Sequence, residues 1–299
     1  MSSPGHRAGL VALVGRPNVG KSTLLNALVG QKVSITSPKP QTTRHRIAGI
    51  LTGPGFQAVF LDTPGLHARL HRGLNRAMNR AALGSLADAD LLLFVVDASR
   101  WTEEDDAVLE RVRSSGKKAV LVVNKVDRVK PRARLLPLLE RLASRHAFEA
   151  VVPLSALRRD NVERLAALIP PLLPEGEPHF PEDQVTDRSE RFLAAEVVRE
   201  KLTLALHDEL PYGITVEIER WEEEDGRLVI GAVIWVERAG QRKITIGEGG
   251  QKLKEVGRAA RLELNELLGR PVHLELWVKV REDWADSDAA LRQFGYDPT

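Results

Sequence analysis

The octapeptide Gly15-Arg16-Pro17-Asn18-Val19-Gly20-Lys21-Ser22 constrains this chain more than any other stretch, because it fits the pattern G-x-x-x-x-G-K-[S/T]. It stands directly after an apolar β-like run, Leu10–Val14, and opens a helical pattern, Lys21–Val29. A loop of this kind wraps its amides around an anion at a helix N-terminus, so it needs glycines at its tight positions and a strand and a helix beside it. In an isolated β–α turn the same residues would mean little; the flanking elements make them a phosphate-binding loop. Four more apolar runs follow, Gln57–Leu61, Leu91–Val96, Ala119–Val123 and Ala150–Leu154. Helical patterns lie between them at Arg69–Leu86, Thr102–Ser114 and Leu135–His146. Strands alternating with helices predict a doubly wound, mostly parallel α/β sheet across residues 1–175. Several runs are nearly continuous in Val, Leu and Phe, as strands covered on both faces should be.

The loop sets the chemistry of its neighbours. Gly15, Asn18, Val19, Gly20 and Thr23 shape or flank the cradle, Lys21 is expected to bridge β- and γ-phosphates, and Ser22 to ligate Mg²⁺. Asn124-Lys125-Val126-Asp127 follows the run Ala119–Val123, at the carboxyl edge where doubly wound sheets bind ligands. Guanine offers N1–H and N2–H₂ as adjacent donors, and the Asp127 carboxylate can accept from both. Adenine has an acceptor at N1 and no amine at C2, so the same carboxylate would be left buried and unpaired, at a cost of about 3–5 kcal/mol. Asn124 is expected to tie the base edge to the phosphate loop, the Lys125 stem to pack on the ring, and Ser155-Ala156-Leu157 to offer backbone N–H to guanine O6.

Asp62-Thr63-Pro64-Gly65 ends another β-like run and is the expected γ-phosphate sensor, with Asp62 reaching Mg²⁺ through water and the Gly65 amide touching the phosphate. The polar stretch Thr36–Arg44 carries two candidate Mg²⁺ ligands, Thr42 and Thr43, which sequence does not separate. Lys21, Asp62, Gly65 and Thr43 are thus the expected catalytic set, and GTP, GDP and Mg²⁺ the expected ligands. Leu66 stands where signalling GTPases place a water-orienting glutamine, so unaided hydrolysis should be slow. Asn18 suggests a compensating K⁺ ion, against the plainer reading that it only shapes the loop.

The chain has 299 residues and no cysteine, which rules out disulfides, thiolate metal sites and a thiol nucleophile. The first residues lack a signal-peptide pattern and no apolar run is long enough to span a bilayer, so a cytoplasmic protein is expected. Charge is uneven: residues 1–175 hold 26 Lys and Arg against 15 Asp and Glu, while residues 188–281 hold 16 against 17. The basic front half suggests a polyanionic neighbour. Arg69, Arg72, Arg76 and Arg80 are spaced to stripe one helix face, either a solvated surface or a contact with RNA.

Residues 176–187 have no regular period and carry Pro and Gly, so they read as an interdomain linker. Beyond them come a helical pattern at Ser189–Leu210, β-like runs at Ile214–Trp221 and Leu228–Val236 joined by a Glu-Glu-Glu-Asp-Gly turn in which Asp225-Gly226 favours a tight hairpin, a helix at Gln251–Leu268 and a last run, Val272–Val280. Gly247-Glu248-Gly249-Gly250 is a G-x-x-G loop within an α-β-β-α-α-β order, the arrangement of an α+β type II KH domain over residues 188–281, with 282–299 as a tail.

The segments GRPNVGKSTLLNALVGQKVSITS, PQTTRHRI, DTPGL, NKVD, HFPEDQVTDR, ELPY, IGEGGQKLKEVGRAAR and LRQFGYD together resemble the Era family of bacterial ribosome-assembly GTPases, over nearly the whole chain. The resemblance implies a GTP-dependent switch, acting as a monomer, whose KH domain binds the 3′ end of 16S rRNA on the 30S subunit or its precursor. It also implies weak peripheral association with the inner membrane, for which the sequence shows no anchor. Gly247, Glu248, Gly249, Gly250, Lys252, Lys254, Arg258 and Arg242 are the expected RNA-binding residues. Glu248 departs from the family loop, so either it points away from the RNA or Lys252, Lys254, Arg258 and Arg242 carry the affinity. The competing class is an RNA-binding assembly factor in which hydrolysis is incidental.

Overall fold

A computed structural model describes residues 5–39, 41–64, 73–206 and 213–296. Packing divides the chain into two units, the first Met1–Ser34, Thr43–Ala68 and Met78–Asp187, the second Ile35–Thr42, Arg69–Ala77 and Arg188–Thr299.

The first unit holds strands β1 (Arg7–Val14), β2 (Ile47–Gly53), β3 (Phe56–Asp62), β4 (Leu91–Asp97), β5 (Lys118–Asn124) and β6 (Ala150–Pro153). They form one sheet in the order β2-β3-β1-β4-β5-β6, parallel except for the β2–β3 pair. Its helices are α1 (Lys21–Val29), α3 (Glu103–Ser115), α4 (Leu135–Ala143) and α5 (Val162–Leu168), with most of α2 (Gly73–Asp88). The apolar runs are continuous because successive side chains serve opposite faces. Val11, Leu13, Leu93, Val95, Val120 and Val122 pack with α1 and α5, while Ala12, Val14, Leu92, Phe94, Leu121 and Val123 pack with α3 and Leu142 of α4. The swap of neighbour at the central β1 leaves a crevice at the carboxyl ends of β1 and β4, where the phosphate loop begins.

Two features differ from the sequence expectation. β2 is an antiparallel edge strand that the apolar runs do not announce, since Ile47–Gly53 is broken by glycines and a threonine. Residues 176–187 are not a free linker. Ile50 N donates to Val185 O at 2.9 Å, Ala48 N to the Asp187 carboxylate at 3.0 Å, and the buried Gln57 amide accepts from His179 N and Phe180 N. An edge strand presents unpaired amides and carbonyls, and this aperiodic segment satisfies them with the Val185 carbonyl, the Asp187 carboxylate and the Thr186 hydroxyl.

The second unit holds α6 (Glu190–Ala205), β7 (Ile214–Glu224), β8 (Arg227–Val236), α7 (Ala239–Ile246), α8 (Gln251–Leu268), β9 (Val272–Val280) and α9 (Asp288–Gln293). Its sheet runs β7-β8-β9, with β7–β8 antiparallel and β8–β9 parallel. The hairpin turn is Asp225-Gly226, both at positive φ as a tight two-residue turn requires, and Glu222–Glu224 belong to the strand rather than the turn. One face of the sheet packs Leu228, Ile230, Ile234 and Val236 against Val197 and Val198 of α6 and Val256, Ala260 and Leu264 of α8. The stretch expected as a tail is packed where it is described: Trp284 is fully buried, edge-on to Phe294, and donates through Nε1 to Gly213 O at 3.1 Å.

A buried polar cluster lies on α6. Arg199 is 2% exposed and forks onto both Glu196 oxygens at 2.7 and 2.6 Å, while also donating to Thr42 O at 2.6 Å. Burial alone would disfavour that cation, but Glu196 more than offsets it and keeps the guanidinium charged. Glu200 accepts from Thr36 N at 2.7 Å, so the second unit grips the segment Ile35–Thr42 at both ends. Removing one member of a buried ion pair leaves the other uncompensated. Glu196→Ala should therefore cost about 3–5 kcal/mol in urea-induced unfolding of this unit. A loss below about 1 kcal/mol would mean that Arg199 finds another partner or solvent.

Candidate functional site

Apart from Thr42, the expected nucleotide-site residues that the structure describes lie at the carboxyl edge of the six-stranded sheet. The phosphate loop leaves β1 at Gly15 and enters α1 at Lys21. A Cβ added to Gly15 would lie 2.4 Å from Val95 O, and one added to Gly20 would lie 2.4 Å from Asn124 Nδ2. Both positions also have positive φ, so sterics and backbone alike demand glycine there. Lys21 is buried, with Nζ donating to Gly15 O at 2.9 Å and Arg16 O at 3.1 Å. Burial lowers its pKa to about 8, against the attraction of Asp62 and with some help from the nearby Arg16 cation.

Asp62, at the end of β3, gathers hydroxyls. Its Oδ2 accepts from Ser22 Oγ at 2.6 Å, Ser34 Oγ at 2.8 Å and Thr43 Oγ1 at 3.4 Å, and Ser22 Oγ lies 2.7 Å from Thr43 Oγ1. Its Oδ1 is buried without a hydrogen-bond partner. Burial raises the carboxyl pKa, partly opposed by Ser22, Lys21, Ser34 and Thr43. An all-oxygen set with one unsatisfied carboxylate oxygen suits a hard divalent cation such as Mg²⁺. Thr42 is directed elsewhere, its Oγ1 donating to Lys39 O at 2.7 Å and Ser37 Oγ at 3.0 Å. Gly65 and Leu66 lie outside the described residues, as do Arg69 and Arg72; Arg76 and Arg80 are exposed on α2.

Asn124 joins three loops. Its Nδ2 donates to Val19 O at 2.8 Å, and its Oδ1 accepts from Lys125 N at 2.8 Å and Ala156 N at 3.0 Å. Lys125 sits at positive φ and aims its ammonium at Asn18 O and at Asp97 Oδ2, 2.7 Å away. Burial on its own would raise the Asp97 pKa, but hydrogen bonds from Lys125 and Ser99 outweigh it and keep the carboxylate ionised. Asp127 is mostly buried, with Arg158 Nε 3.9 Å from Oδ2. Ser155 is buried and Leu157 is 77% exposed, as a residue offering backbone rather than side chain would be.

Three participants escaped the sequence reading. Ser34 has no spacing signal, and Asp97 looks like the end of a strand. Asp105 is visible in sequence only as the capping partner of Thr102, but its Oδ2 also takes Arg16 Nε at 2.9 Å in a buried pair that anchors the phosphate loop to α3.

In the second unit the G-x-x-G loop joins α7 to α8. Gly247, Gly249 and Gly250 all have positive φ, and a Cβ on Gly247 would meet Lys252 Cβ at 2.7 Å. A groove of about 490 Å³ runs between α8 and β9, lined on one side by Gly250, Lys254, Gly257, Arg258 and Arg261 and on the other by His273, Leu274 and Leu276. Of the expected RNA-binding residues, Gly250, Lys254 and Arg258 line it. Lys252 packs on Gly247, while Arg242 and the exposed Glu248 stand off the groove, which removes the carboxylate from the groove wall. Arg261 and His273 are additions that only the α8–β9 juxtaposition reveals.

Residues 10–125 match the family model described as 50S ribosome-binding GTPase, and residues 209–285 match the KH domain. The chain is 55% identical to GTPase Era of Stenotrophomonas maltophilia strain K279a over 292 residues, covering 98% of both chains. It is equally identical to GTPase Era of Xanthomonas oryzae pv. oryzae over 296 residues, 99% of each. Among solved structures, a variant of Aquifex aeolicus Era bound to GDP and AlF₄⁻ superimposes with a TM-score of 0.93 at 44% identity, covering 97% of this chain and 99% of that one. Era in complex with MgGDPNP and nucleotides 1506–1542 of 16S ribosomal RNA matches as well, at a TM-score of 0.93, 44% identity and coverage of 98% and 99%. With the phosphate loop, the Asn124–Asp127 loop and the KH fold in one chain and relatives matched end to end, this protein belongs to the Era family of GTPases.

Proposed function

We propose that this chain is a GTP-hydrolysing switch that binds small-subunit ribosomal RNA near its 3′ end and assists assembly of the 30S subunit. The observation that carries the reading is the hydrogen-bonded union, through Asn124, of the phosphate loop with the loops after β5 and β6, in a chain that also bears a basic KH groove. The solved Era complex with MgGDPNP and 16S rRNA nucleotides supports it. The division into a GTPase domain over 1–175 and a KH domain over 188–281 belongs to the same reading.

Lys21 neutralises β- and γ-phosphate oxygens, and the loop amides from Asn18 to Ser22 hold the β-phosphate. Ser22 and Thr43 would ligate Mg²⁺ directly, with Asp62 holding its water, since these are the hydroxyls the buried carboxylate collects. Bound there, Mg²⁺ supplies charge neutralisation to the leaving diphosphate. Thr43 takes this role in preference to Thr42, whose hydroxyl is engaged with Ser37 and Lys39. Asp127 reads guanine N1–H and N2–H₂, and Lys125 covers the ring while braced on Asp97. Of the Ser155-Ala156-Leu157 amides, Ser155 N is taken by Asp160 O and Ala156 N by Asn124 Oδ1, so Leu157 N is the one offered to O6. Cytoplasmic residence and a weak peripheral association with the inner membrane complete the reading. Among the described residues no helix is long and apolar enough to cross a membrane.

Base selection tests the first half. Asp127→Asn removes the charged acceptor of two hydrogen bonds, each worth about 1.5–3 kcal/mol. GTP affinity should drop at least about 100-fold, and xanthosine triphosphate, whose C2 carbonyl accepts from the new amide, should become the better ligand. Competition binding that leaves GTP preferred would contradict the role given to Asp127.

The slow-hydrolysis expectation leads to K⁺. Asn18 is exposed at positive φ, and its side chain makes no hydrogen bond to the described residues. A K⁺ ion held there would supply the positive charge that an arginine finger supplies elsewhere. GTPase rates should be higher in KCl than in NaCl for the unaltered protein, and Asn18→Ala should erase the difference. Equal rates in both salts would remove K⁺ from the mechanism.

A further inference from the structure

The segment between β5 and α4 carries Arg128, Lys130, Arg132 and Arg134 in seven residues. All four are exposed, and none makes a side-chain ion pair or hydrogen bond to the described residues. The segment is ordered by its backbone: Arg128 N donates to Lys125 O at 3.0 Å, Val129 N to Val126 O at 3.1 Å and Arg134 N to Pro131 O at 3.1 Å. Val126 and Val129 pack inward on the α3 side of the core, which leaves the cations outward. Arg158, from the loop after β6, adds a fifth cation beside Asp127, with 64% of its side chain exposed.

We propose that this rim of the GTPase unit is a second RNA-binding surface, gripping backbone phosphates of duplex RNA independently of the KH groove. Charge distribution favours it. Residues 188–281 hold 16 cations against 17 anions, so the KH unit is close to neutral outside its basic groove, whereas residues 1–175 hold 26 against 15. The residue types fit phosphate, because guanidinium forks match its oxygens, and a pre-ordered loop loses little entropy on binding. Residues 126–143 contain no aromatic side chain, so they can clamp a backbone but cannot stack on unpaired bases. A lipid surface fits less well. Of the five leucines of α4, Leu138, Leu139 and Leu142 pack inward, Leu135 is half-buried, and Leu136 alone, at 65%, is exposed, which is little apolar surface for insertion.

The test uses the full chain with Lys130, Arg132 and Arg134 all changed to Gln, residues that touch neither nucleotide nor groove. Two probes are titrated between 50 and 200 mM KCl: a 20-base-pair RNA duplex of arbitrary sequence, and a single-stranded oligonucleotide of the 16S rRNA 3′ end. The triple variant should bind the duplex at least about tenfold more weakly at 50 mM salt, with a shallower dependence of log K on log salt by about 2, since two to three phosphate contacts are lost. Its affinity for the single strand, its GTPase rate and its melting temperature should not change. Equal duplex affinity and slope would overturn the proposal. So would an equal loss on both probes, or, with phosphatidylglycerol vesicles as a third probe, a loss confined to the vesicles. The proposal rests on the reading of the chain as an RNA binder, and the two fail separately: failure of the unaltered protein to bind the single strand sinks the KH assignment alone.

Discussion

The nucleotide site depends on one side-chain amide. Asn124 donates to Val19 of the phosphate loop and accepts from Ala156 of the loop after β6, while its own neighbour Lys125 reaches back to Asn18. Three loops that leave different strands are thereby held in fixed register, although none has regular structure of its own. The amide is 2% exposed, so its hydrogen bonds are made away from competing water and losing them would strand several buried polar groups at once. Gly20 is glycine for the same reason, since a Cβ there would occupy the place of the Asn124 amide nitrogen.

Around that staple, buried charge is spent on placement. Arg16 and Asp105 fix the phosphate loop to α3, Lys125 and Asp97 fix the base loop to β4, and Asp62 collects Ser22, Ser34 and Thr43. Buried ion pairs add little to stability compared with apolar packing, so positioning is the better account of why three carboxylates converge on one sheet edge. The second unit uses the same device differently, with Arg199, Glu196 and Glu200 holding the segment Ile35–Thr42.

Much of this was legible in the sequence, for a physical reason. Strands covered on both faces must be apolar throughout, so β1, β3, β4, β5 and β6 stand out as runs, and the phosphate and base loops sit at their ends. β2 was hidden because an edge strand with two glycines has no such run, and the contacts that segment 176–187 makes with it leave no side-chain period to read. Thr42 and Thr43 look alike in sequence and are separated only by which way the chain turns. Ser34, Asp97 and the Arg16–Asp105 pair are tertiary facts with no local signature, and the α8–β9 groove adds Arg261 and His273 on the same terms.

The claim that one amide organises the site is open to a direct measurement. Titration of a fluorescent GDP and of a non-hydrolysable GTP analogue into Asn124→Ala, with circular dichroism to verify the fold, isolates its contribution. Loss of the bonds to Val19 and Ala156 should weaken both nucleotides by about 100-fold or more, because both share the phosphate loop and the base loops. Affinities within about threefold of the unaltered protein would contradict the account, and would mean that the three loops hold their register without Asn124.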